Sequence, residues 1–308
     1  MTATERDRPD EVEGEAFSAG RAGSPDETGV TELSALGPPP WRPICMTCGV
    51  QFAPRDEALD VCPICADERQ YIGWHGQQWT TLDRLRQDPR GSEIHIEEPG
   101  LGSLNIVPAT AIGQRAYLIE TPEGTIIWDC TTYFDDKTLD LIRARGPVLA
   151  MAISHPHFYA SMSSWAEALD IPVYIHAADR EWVMDPSDHL VYWQGETLDL
   201  TPGVTLVQLG GHFTGSSALH WANTEDGLGA LVAGDTIKTV MDRRYVGFMY
   251  SVVNFIPMGP TAVKDIVRRL EPFEFDRIYS LWSGHMVPSD GKAAITRSAA
   301  RHLEFIQQ

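Results

Sequence analysis

Apolar and polar positions alternate along short runs from about residue 92, which is the pattern of half-buried β-strands. Three such runs occur in the first half of this region: EIHIEE at 93–98, AYLIET at 116–121 and TIIWDC at 125–130. A Pro-Glu-Gly between the second and third runs predicts a hairpin turn. A continuous apolar run at Val148–Ile153 predicts a buried strand, and helical spacing predicts helices at Asp136–Arg145 and Met162–Leu169.

The second half of the chain repeats this order of strands followed by helices. Strands are predicted at VTLVQL (204–209), SALHWA (217–222), GALVAG (229–234) and DRIYSLW (276–282), and helices at Ala262–Leu270 and Gly291–Ile306. Strands that precede helices in each half favour a layered α/β sandwich over a parallel Rossmann sheet. The sequence contains neither G-x-G-x-x-G nor G-x-x-x-x-G-K-[ST], so the dinucleotide and P-loop classes lack support.

The N-terminal part of the chain has a different composition. Residues 1–40 are rich in Glu, Asp, Gly, Ser and Pro and show no helical or strand period, which predicts a disordered acidic tail. Residues 41–75 hold most of the cysteines, and residues 76–94 are predicted to be a linker with a short helix near Thr80–Arg86. Residues 95–308 are predicted to form the large α/β domain.

The charge balance excludes some partners. The formal net charge is −19, which disfavours non-specific binding to nucleic acid. No apolar stretch reaches the length of about 18 residues that a membrane span needs. The acidic N-terminus lacks the apolar region of a secretory signal, so we expect a cytoplasmic protein. The sequence carries no signal for the oligomeric state.

Four of the five cysteines form two C-x-x-C pairs, CMTC at 45–48 and CPIC at 62–65. Two such knuckles can complete a tetrahedral shell of four sulfurs around one ion. The pattern therefore predicts a structural Zn site at Cys45, Cys48, Cys62 and Cys65, and it resembles a zinc ribbon. The knuckles also resemble rubredoxin, in which the metal is iron, and both metals stay open on the sequence alone.

Four further motifs place potential metal ligands at the ends of predicted strands. They are His155-Pro156-His157, Gly210-Gly211-His212, Gly234-Asp235-Thr236 and Ser283-Gly284-His285. Two histidines separated by one residue can bind one ion, and imidazole suits Zn²⁺. The flanking glycines allow the backbone to approach closely. The motifs therefore predict a second metal site, in the large domain.

In this order, the motifs resemble those of the metallo-β-lactamase fold superfamily, over about residues 95–308. The resemblance implies a four-layer αββα sandwich with metal bound at one edge between two sheets. It implies that His155, His157 and His212 hold a first metal, that Asp235 is the bridging aspartate and that His285 is the last histidine of the set.

The first motif departs from the family pattern. The family has H-x-H-x-D-H, whereas this chain has Tyr159 and Ala160 at the last two positions. Because those two positions help to hold the second metal in the family, we expect one Zn or Fe ion in the large domain. The three histidines would bind it, with Asp235 as a fourth or nearby ligand. Three ligands and an open position describe a catalytic zinc centre.

Asp235, Tyr159 and His285 are the candidate catalytic residues. Tyr159 is a candidate hydrogen-bond donor to an oxyanion or a leaving group, and packing in the core is its alternative role. His285 is a candidate proton donor or substrate ligand, with an ordinary loop histidine as the alternative. Candidates for binding an anionic group, with a solvated surface as the alternative, are Arg243, Arg244 and Tyr250.

Three functions remain open on these grounds. The first is a metal-dependent hydrolase of the metallo-β-lactamase type, acting on a small-molecule ester, thioester or lactone. The second is a mononuclear iron oxygenase or redox enzyme of the same fold. The third is a non-catalytic metal-binding scaffold protein, in which the altered first motif marks lost chemistry. The identity of the metal discriminates the first two, and the presence of a metal in the large domain discriminates the third.

Overall fold

The computed structural model describes residues 29–57, 59–282 and 284–306. Residues 1–28 of the predicted acidic tail lie outside the described residues. Residues 29–40 differ from that prediction, because Val30 exchanges backbone hydrogen bonds of 2.8 and 2.6 Å with Trp79. Leu33, in a 3₁₀ turn over Leu33–Leu36, is fully buried. The widely spaced apolar residues of this segment thus fold onto the protein, although its composition is that of a tail.

The cysteine-rich segment has little regular structure. Strand β1 (Ile44–Cys45) and helix α1 (Pro63–Ala66) each carry part of one knuckle. Strand β2 (Trp79–Thr80) pairs antiparallel with β1. The short helix predicted near residue 80 is α2 (Leu82–Leu85), which begins after Thr81 because the Thr81 hydroxyl accepts a hydrogen bond from the Arg84 backbone N–H.

A seven-stranded sheet forms the first half of the large domain, with its strands side by side in chain order. They are β3 (Gly91–Glu98), β4 (Leu101–Val107), β5 (Ala116–Thr121), β6 (Gly124–Trp128), β7 (Val148–Ala152), β8 (Val173–His176) and β9 (Leu190–Trp193). Strands β3 to β6 are antiparallel, and β6 to β9 are parallel. Helices α3 (Asp136–Arg143) and α4 (Met162–Leu169) connect the parallel strands.

A second sheet forms the other half, together with two short hairpins. Its elements in chain order are β10 (Thr197–Thr201), β11 (Val204–Gln208), β12 (Ser217–Trp221), β13 (Ala230–Ala233), β14 (Lys238–Thr239), β15 (Val246–Gly247), β16 (Met249–Ser251), β17 (Ile256–Pro257), α5 (Pro260–Leu270), β18 (Arg277–Tyr279), β19 (Met286–Val287) and α6 (Gly291–Ile306). The six-stranded sheet has the order β10-β11-β12-β13-β18-β19, and β14–β15 and β16–β17 pair separately. Among the described residues, no helix is both long and apolar enough to cross a membrane.

The two sheets pack face to face with helices outside them. Apolar residues of both sheets, among them Trp128 and Trp221, form the central core. Helices α5 and α6 cover the second sheet with their own cluster around Ile266 and Ile295. Helix α4 covers the first sheet through Trp165 and Ala166. The four-layer αββα sandwich expected from the sequence is therefore confirmed.

The cysteine-rich segment and the sandwich share one hydrophobic cluster. Phe52 of the segment and Phe158, Tyr159 and Trp165 of the sandwich belong to the same set of buried residues. A segment of this size cannot bury a core of its own, so packing on a neighbour is the physical alternative. Arg42 adds ion pairs with Glu167 (2.9 Å) and Asp185 (2.8 Å) of the large domain.

The burial of Leu33 gives a test of the N-terminal packing. Leu33→Ala removes a fully buried side chain and is expected to lower the free energy of unfolding by about 2–5 kcal/mol. Leu141→Ala is the matched control, since Leu141 is 43% exposed on α3. Denaturant titration of both variants measures the difference. Equal and small effects would show that the segment before residue 41 does not pack on the protein.

Candidate metal centre

Three histidines and one carboxylate meet at one point in the large domain. Ligand atoms of His155, His157, His212 and Asp235 all lie within 4.8 Å of one another. The three rings are at most 2% exposed. Nε2 of His155 is buried, and it has no hydrogen-bond partner in the part of the chain that the structure describes. A metal ion at this point would supply the missing partner, so the donor set fits a transition metal.

His155 is oriented by a relay of hydrogen bonds that begins on the neighbouring strand. Asp129, directly after β6, accepts hydrogen bonds at Oδ1 from the backbone N–H (2.8 Å) and the hydroxyl (2.7 Å) of Ser154. The Ser154 oxygen then accepts from Nδ1 of His155 at 2.8 Å. With Nδ1 donating, the lone pair of His155 lies on Nε2, which faces the centre. Burial raises the pKa of Asp129 to about 7, although the nearby His155 and the hydrogen bonds from Ser154 oppose the rise.

His212 is oriented in a comparable way by the main chain. Its Nδ1 donates to the carbonyl oxygen of Tyr250 at 2.7 Å, which leaves the Nε2 lone pair free. Nε2 of His212 lies 3.2 Å from Nδ1 of His157, so both atoms are directed at the same point. Burial lowers the pKa of His212 to about 3 and also lowers that of His157. Both rings are therefore neutral near pH 7, the form that binds metal.

Asp235 provides the negative charge of the cluster. Burial alone would raise its pKa, but attraction to the neighbouring His155 and His212 rings and to the Lys238 ammonium holds the pKa well below its usual range. One oxygen lies 3.5 Å from Nε2 of His155. The preceding Gly234 permits this approach, because a Cβ there would lie 2.7 Å from the Cβ of Ser154.

The four cysteines form a second cluster that fits one metal ion. Their sulfurs lie within 4.8 Å of one another, with Cys45–Cys65 at 3.6 Å and Cys48–Cys62 at 3.7 Å. All four side chains are buried and none forms a disulfide. Nε2 of Gln77 donates to the sulfur of Cys45 at 3.2 Å, which is the kind of hydrogen bond that supports a metal-bound thiolate.

Tyr159 and Ala160 lie directly beneath the cysteine-rich segment. The Tyr159 ring is buried in the shared core, and its hydroxyl donates to the carbonyl oxygen of Asp179 at 3.4 Å. Its proton is committed within the protein, and burial raises its pKa well above the ordinary value. This burial corresponds to the packing alternative for Tyr159. The carbonyl oxygen of Ala160 accepts from the backbone N–H of Gln51 at 2.8 Å.

His285 is not among the residues that converge on the centre. Burial and the charges of Arg243, Lys238 and Arg115 lower its pKa, so its neighbours are cationic. Nδ1 of His285 is buried and has no partner among the described residues. Lys238 interacts electrostatically with Asp235 and lies 5.1 Å above the Trp282 ring. Lys238 was not among the residues predicted from the sequence, although its position three residues after Asp235 was a usable signal.

The remaining substrate-binding candidates differ in their surroundings. Arg244 is 77% exposed and forms a bidentate pair with Asp242, which corresponds to the solvated alternative. Arg243 donates to the carbonyl oxygen of Val240 at 3.0 Å and is near His285. Tyr250 contributes its main-chain carbonyl to His212, and its hydroxyl donates to Glu68 at 2.5 Å. Tyr250 therefore positions a predicted ligand through its backbone.

The fold is that of the metallo-β-lactamases, as comparison with solved structures shows. TMB-1 superposes with a TM-score of 0.54 at 12% identity, covering 70% of this chain and 99% of that chain. A metallo-β-lactamase from Erythrobacter litoralis gives 0.51 at 17% identity, covering 69% and 96%. The DIM-1 metallo-β-lactamase gives 0.50 at 12% identity, covering 70% and 98%. At these identities the likeness establishes the fold alone.

Sequence comparison gives the family. The chain is 44% identical over 266 residues to YmaE of Bacillus subtilis (strain 168), an uncharacterised protein, covering 85% of this chain and 96% of YmaE. The chain therefore belongs to the YmaE family. No established family model matches the sequence.

The relay to His155 gives a test of the centre. Ser154→Ala leaves Nδ1 of His155 without its acceptor, and we expect metal affinity at the histidine site to fall by about 10- to 100-fold. Ser161→Ala is the matched control, because Ser161 is equally buried but donates to main-chain carbonyls of residues 131 and 132. Competition with a chelator measures the affinity. The same loss in both variants would refute the relay.

Proposed function

We propose that this protein is a metal-dependent hydrolase with one Zn²⁺ in the histidine centre, acting on a small-molecule ester, thioester or lactone. The observation that carries the proposal is the convergence of His155, His157, His212 and Asp235 on one point, with the His155 lone pair unpartnered. When bound, Zn²⁺ lowers the pKa of water to about 7 and polarises a carbonyl oxygen. The closed four-cysteine shell lacks an open position and serves structure, with Zn²⁺ as the proposed ion.

The residues around the centre divide the remaining tasks. Asp235 stays ionised, so it can accept a hydrogen bond from an attacking water and orient it. The neutral His285 can donate a hydrogen bond to a substrate oxygen. Lys238 and Arg243 add positive charge next to Asp235 and His285, in a chain whose net charge is −19. We infer from this local excess that the substrate carries an anionic group.

The same donor set keeps an iron enzyme as a second candidate. Histidines with one carboxylate are also a ligand set for non-haem Fe(II). Metal analysis of protein purified without added metal distinguishes the two candidates by the identity of the bound ion. Turnover by the iron enzyme would in addition require oxygen. A scaffold without metal in the large domain is disfavoured, because His155 would then keep a buried nitrogen without a partner.

The metal content of the purified protein tests the site assignment. We expect about two metal ions per chain in the parent and about one in His157→Ala, since that variant removes one of three imidazole ligands. His220→Ala is the control, because His220 is a buried histidine outside the cluster whose Nε2 donates to the carbonyl of Glu274. Its metal content is expected to equal that of the parent. Three ions in the parent, or an unchanged content in His157→Ala, would refute the assignment.

The charge of the substrate is tested with two chromogenic esters that differ only by a carboxylate. Lys238→Met is expected to raise KM for the anionic ester about tenfold more than KM for the neutral ester, which corresponds to about 1.4 kcal/mol. Lys264→Met, at an exposed position of α5, is the control. An equal change of KM for both esters in Lys238→Met would argue against an anionic substrate.

A further inference from the structure

We propose that Arg69 and Gln114 are positioning residues through which the four-cysteine site holds the histidine site in its metal-binding geometry. Neither residue contributes a ligand atom to either cluster. Each connects one cysteine knuckle to the backbone of one ligand-bearing loop. The inference rests on the proposed function in one respect, namely that the histidine cluster binds a metal ion.

Gln114 connects the first knuckle to the loop of His157. Its side chain is buried between the segment and the sandwich, and its Nε2 donates to the carbonyl oxygens of Cys48 (2.5 Å) and His157 (3.1 Å). An amide nitrogen carries two protons, so both are used in this bridge. One side-chain amide therefore links the main chain of Cys48, a cysteine ligand, to the main chain of His157, a histidine ligand.

Arg69 connects the second knuckle to the loop of His212. It lies four residues after Cys65, and its Nη1 donates to the carbonyl oxygen of His212 at 3.1 Å. Asp67 fixes the guanidinium plane by accepting from Nε (2.6 Å) and Nη2 (2.8 Å). The group also stacks 3.8 Å above the ring of Phe213. The Arg69 guanidinium is thus fixed by hydrogen bonds on two sides and by stacking on Phe213.

The turn that carries Arg69 is anchored from the opposite side as well. Nδ2 of Asn254 donates to the carbonyl oxygens of Glu68 (3.0 Å) and Gln70 (3.2 Å). The hydroxyl of Ser251 donates to the carbonyl oxygen of Arg69 at 3.0 Å. These contacts come from the β16–β17 hairpin, which also supplies the Tyr250 carbonyl that orients His212. The turn, the hairpin and the histidine loop therefore form one connected unit.

The two connections lead to the two histidines whose ring nitrogens lie 3.2 Å apart, His157 and His212. An ion shared by both cysteine knuckles fixes the knuckles relative to each other. It thereby fixes the two histidine loops relative to each other, through Gln114 on one side and Arg69 on the other. Without that ion each loop can shift with its own knuckle, and the three-histidine geometry loosens.

The close packing at Gly49 shows how little space this interface leaves. Gly49 has φ +79, and a Cβ there would lie 2.1 Å from Oγ1 of Thr132 and 3.1 Å from Nε2 of Gln114. The backbone N–H of Gln51 also donates to the carbonyl oxygen of Ala160 at 2.8 Å. The segment that carries the first knuckle thus packs against the loop that carries His157.

Cobalt(II) titration of the metal-free full-length protein tests the proposal, because the two sites have different optical signatures. Thiolate-to-cobalt charge-transfer bands report the cysteine site. An increase of the visible ligand-field bands with no further increase of the charge-transfer bands reports the histidine site. In Arg69→Met and Gln114→Leu we expect the dissociation constant of the histidine site to rise about tenfold or more. The charge-transfer bands of the cysteine site are expected to keep the parent intensity.

Two matched controls separate positioning from general stability. Arg42→Met removes an arginine whose ion-pair partners across the same interface are Glu167 and Asp185. Gln51→Leu removes a buried glutamine side chain whose Oε1 accepts from the hydroxyl of Ser164. Both are expected to bind cobalt at the histidine site with the parent affinity.

The outcomes are distinguishable from failure of the proposed function. Parent affinity in Arg69→Met and Gln114→Leu, or equal weakening in the two controls, would overturn the positioning roles while the metal site itself stands. A parent protein that binds cobalt only at the cysteine site would overturn the proposed function and this inference together.

Discussion

The structure depends on bringing neutral imidazole rings and one ionised carboxylate to a single buried point. Desolvation favours the neutral form of His157 and His212, and it opposes ionisation of Asp235. Asp235 remains charged because His155, His212 and Lys238 surround it. Such a cluster is costly unless the lone pairs that face this point find a partner, and a metal ion is a partner that these donors fit. The loops after β7, β11 and β13 are arranged around this requirement.

The αββα sandwich meets the requirement by ending these strands at one edge. His155 and His157 follow the first sheet, whereas His212 and Asp235 follow the second, so the packing of the sheets fixes the distances within the cluster. The cysteine-rich segment then covers the outside of the histidine loops. It replaces solvent above these loops with a segment that carries the four-cysteine cluster and shares the hydrophobic core.

Much of this arrangement was predictable from the sequence, because strand-end motifs with histidine and glycine are local signals. The four converging ligands were predicted from these motifs and the family resemblance, and the helix Met162–Leu169 was predicted from the spacing of its apolar residues. Strand β4 was not, because the sequence LGSLNIV interrupts its alternation with Gly, Ser and Asn. Alternation weakens as a signal when small and polar residues face a packed neighbour.

The contacts between distant segments were beyond the reach of sequence patterns. Arg69 lies 143 positions before His212, and Gln114 lies 66 positions after Cys48. Asp129 lay within the predicted strand at 125–130, but the hydrogen bonds that it accepts from Ser154 arise only when β6 and β7 pair. The segment before residue 41 was predicted as a tail from its composition, because composition does not show that Leu33 has a pocket to fill.

The central claim is that one chain holds two metal sites of different chemistry. X-ray absorption at the zinc edge of the purified protein tests it most directly. We expect a mixed coordination shell, with sulfur at about 2.3 Å and nitrogen or oxygen at about 2.0–2.1 Å. In His157→Ala we expect a shell of sulfur alone, because only the cysteine site would remain loaded. A parent spectrum with sulfur alone would contradict a metal centre at His155, His157 and His212.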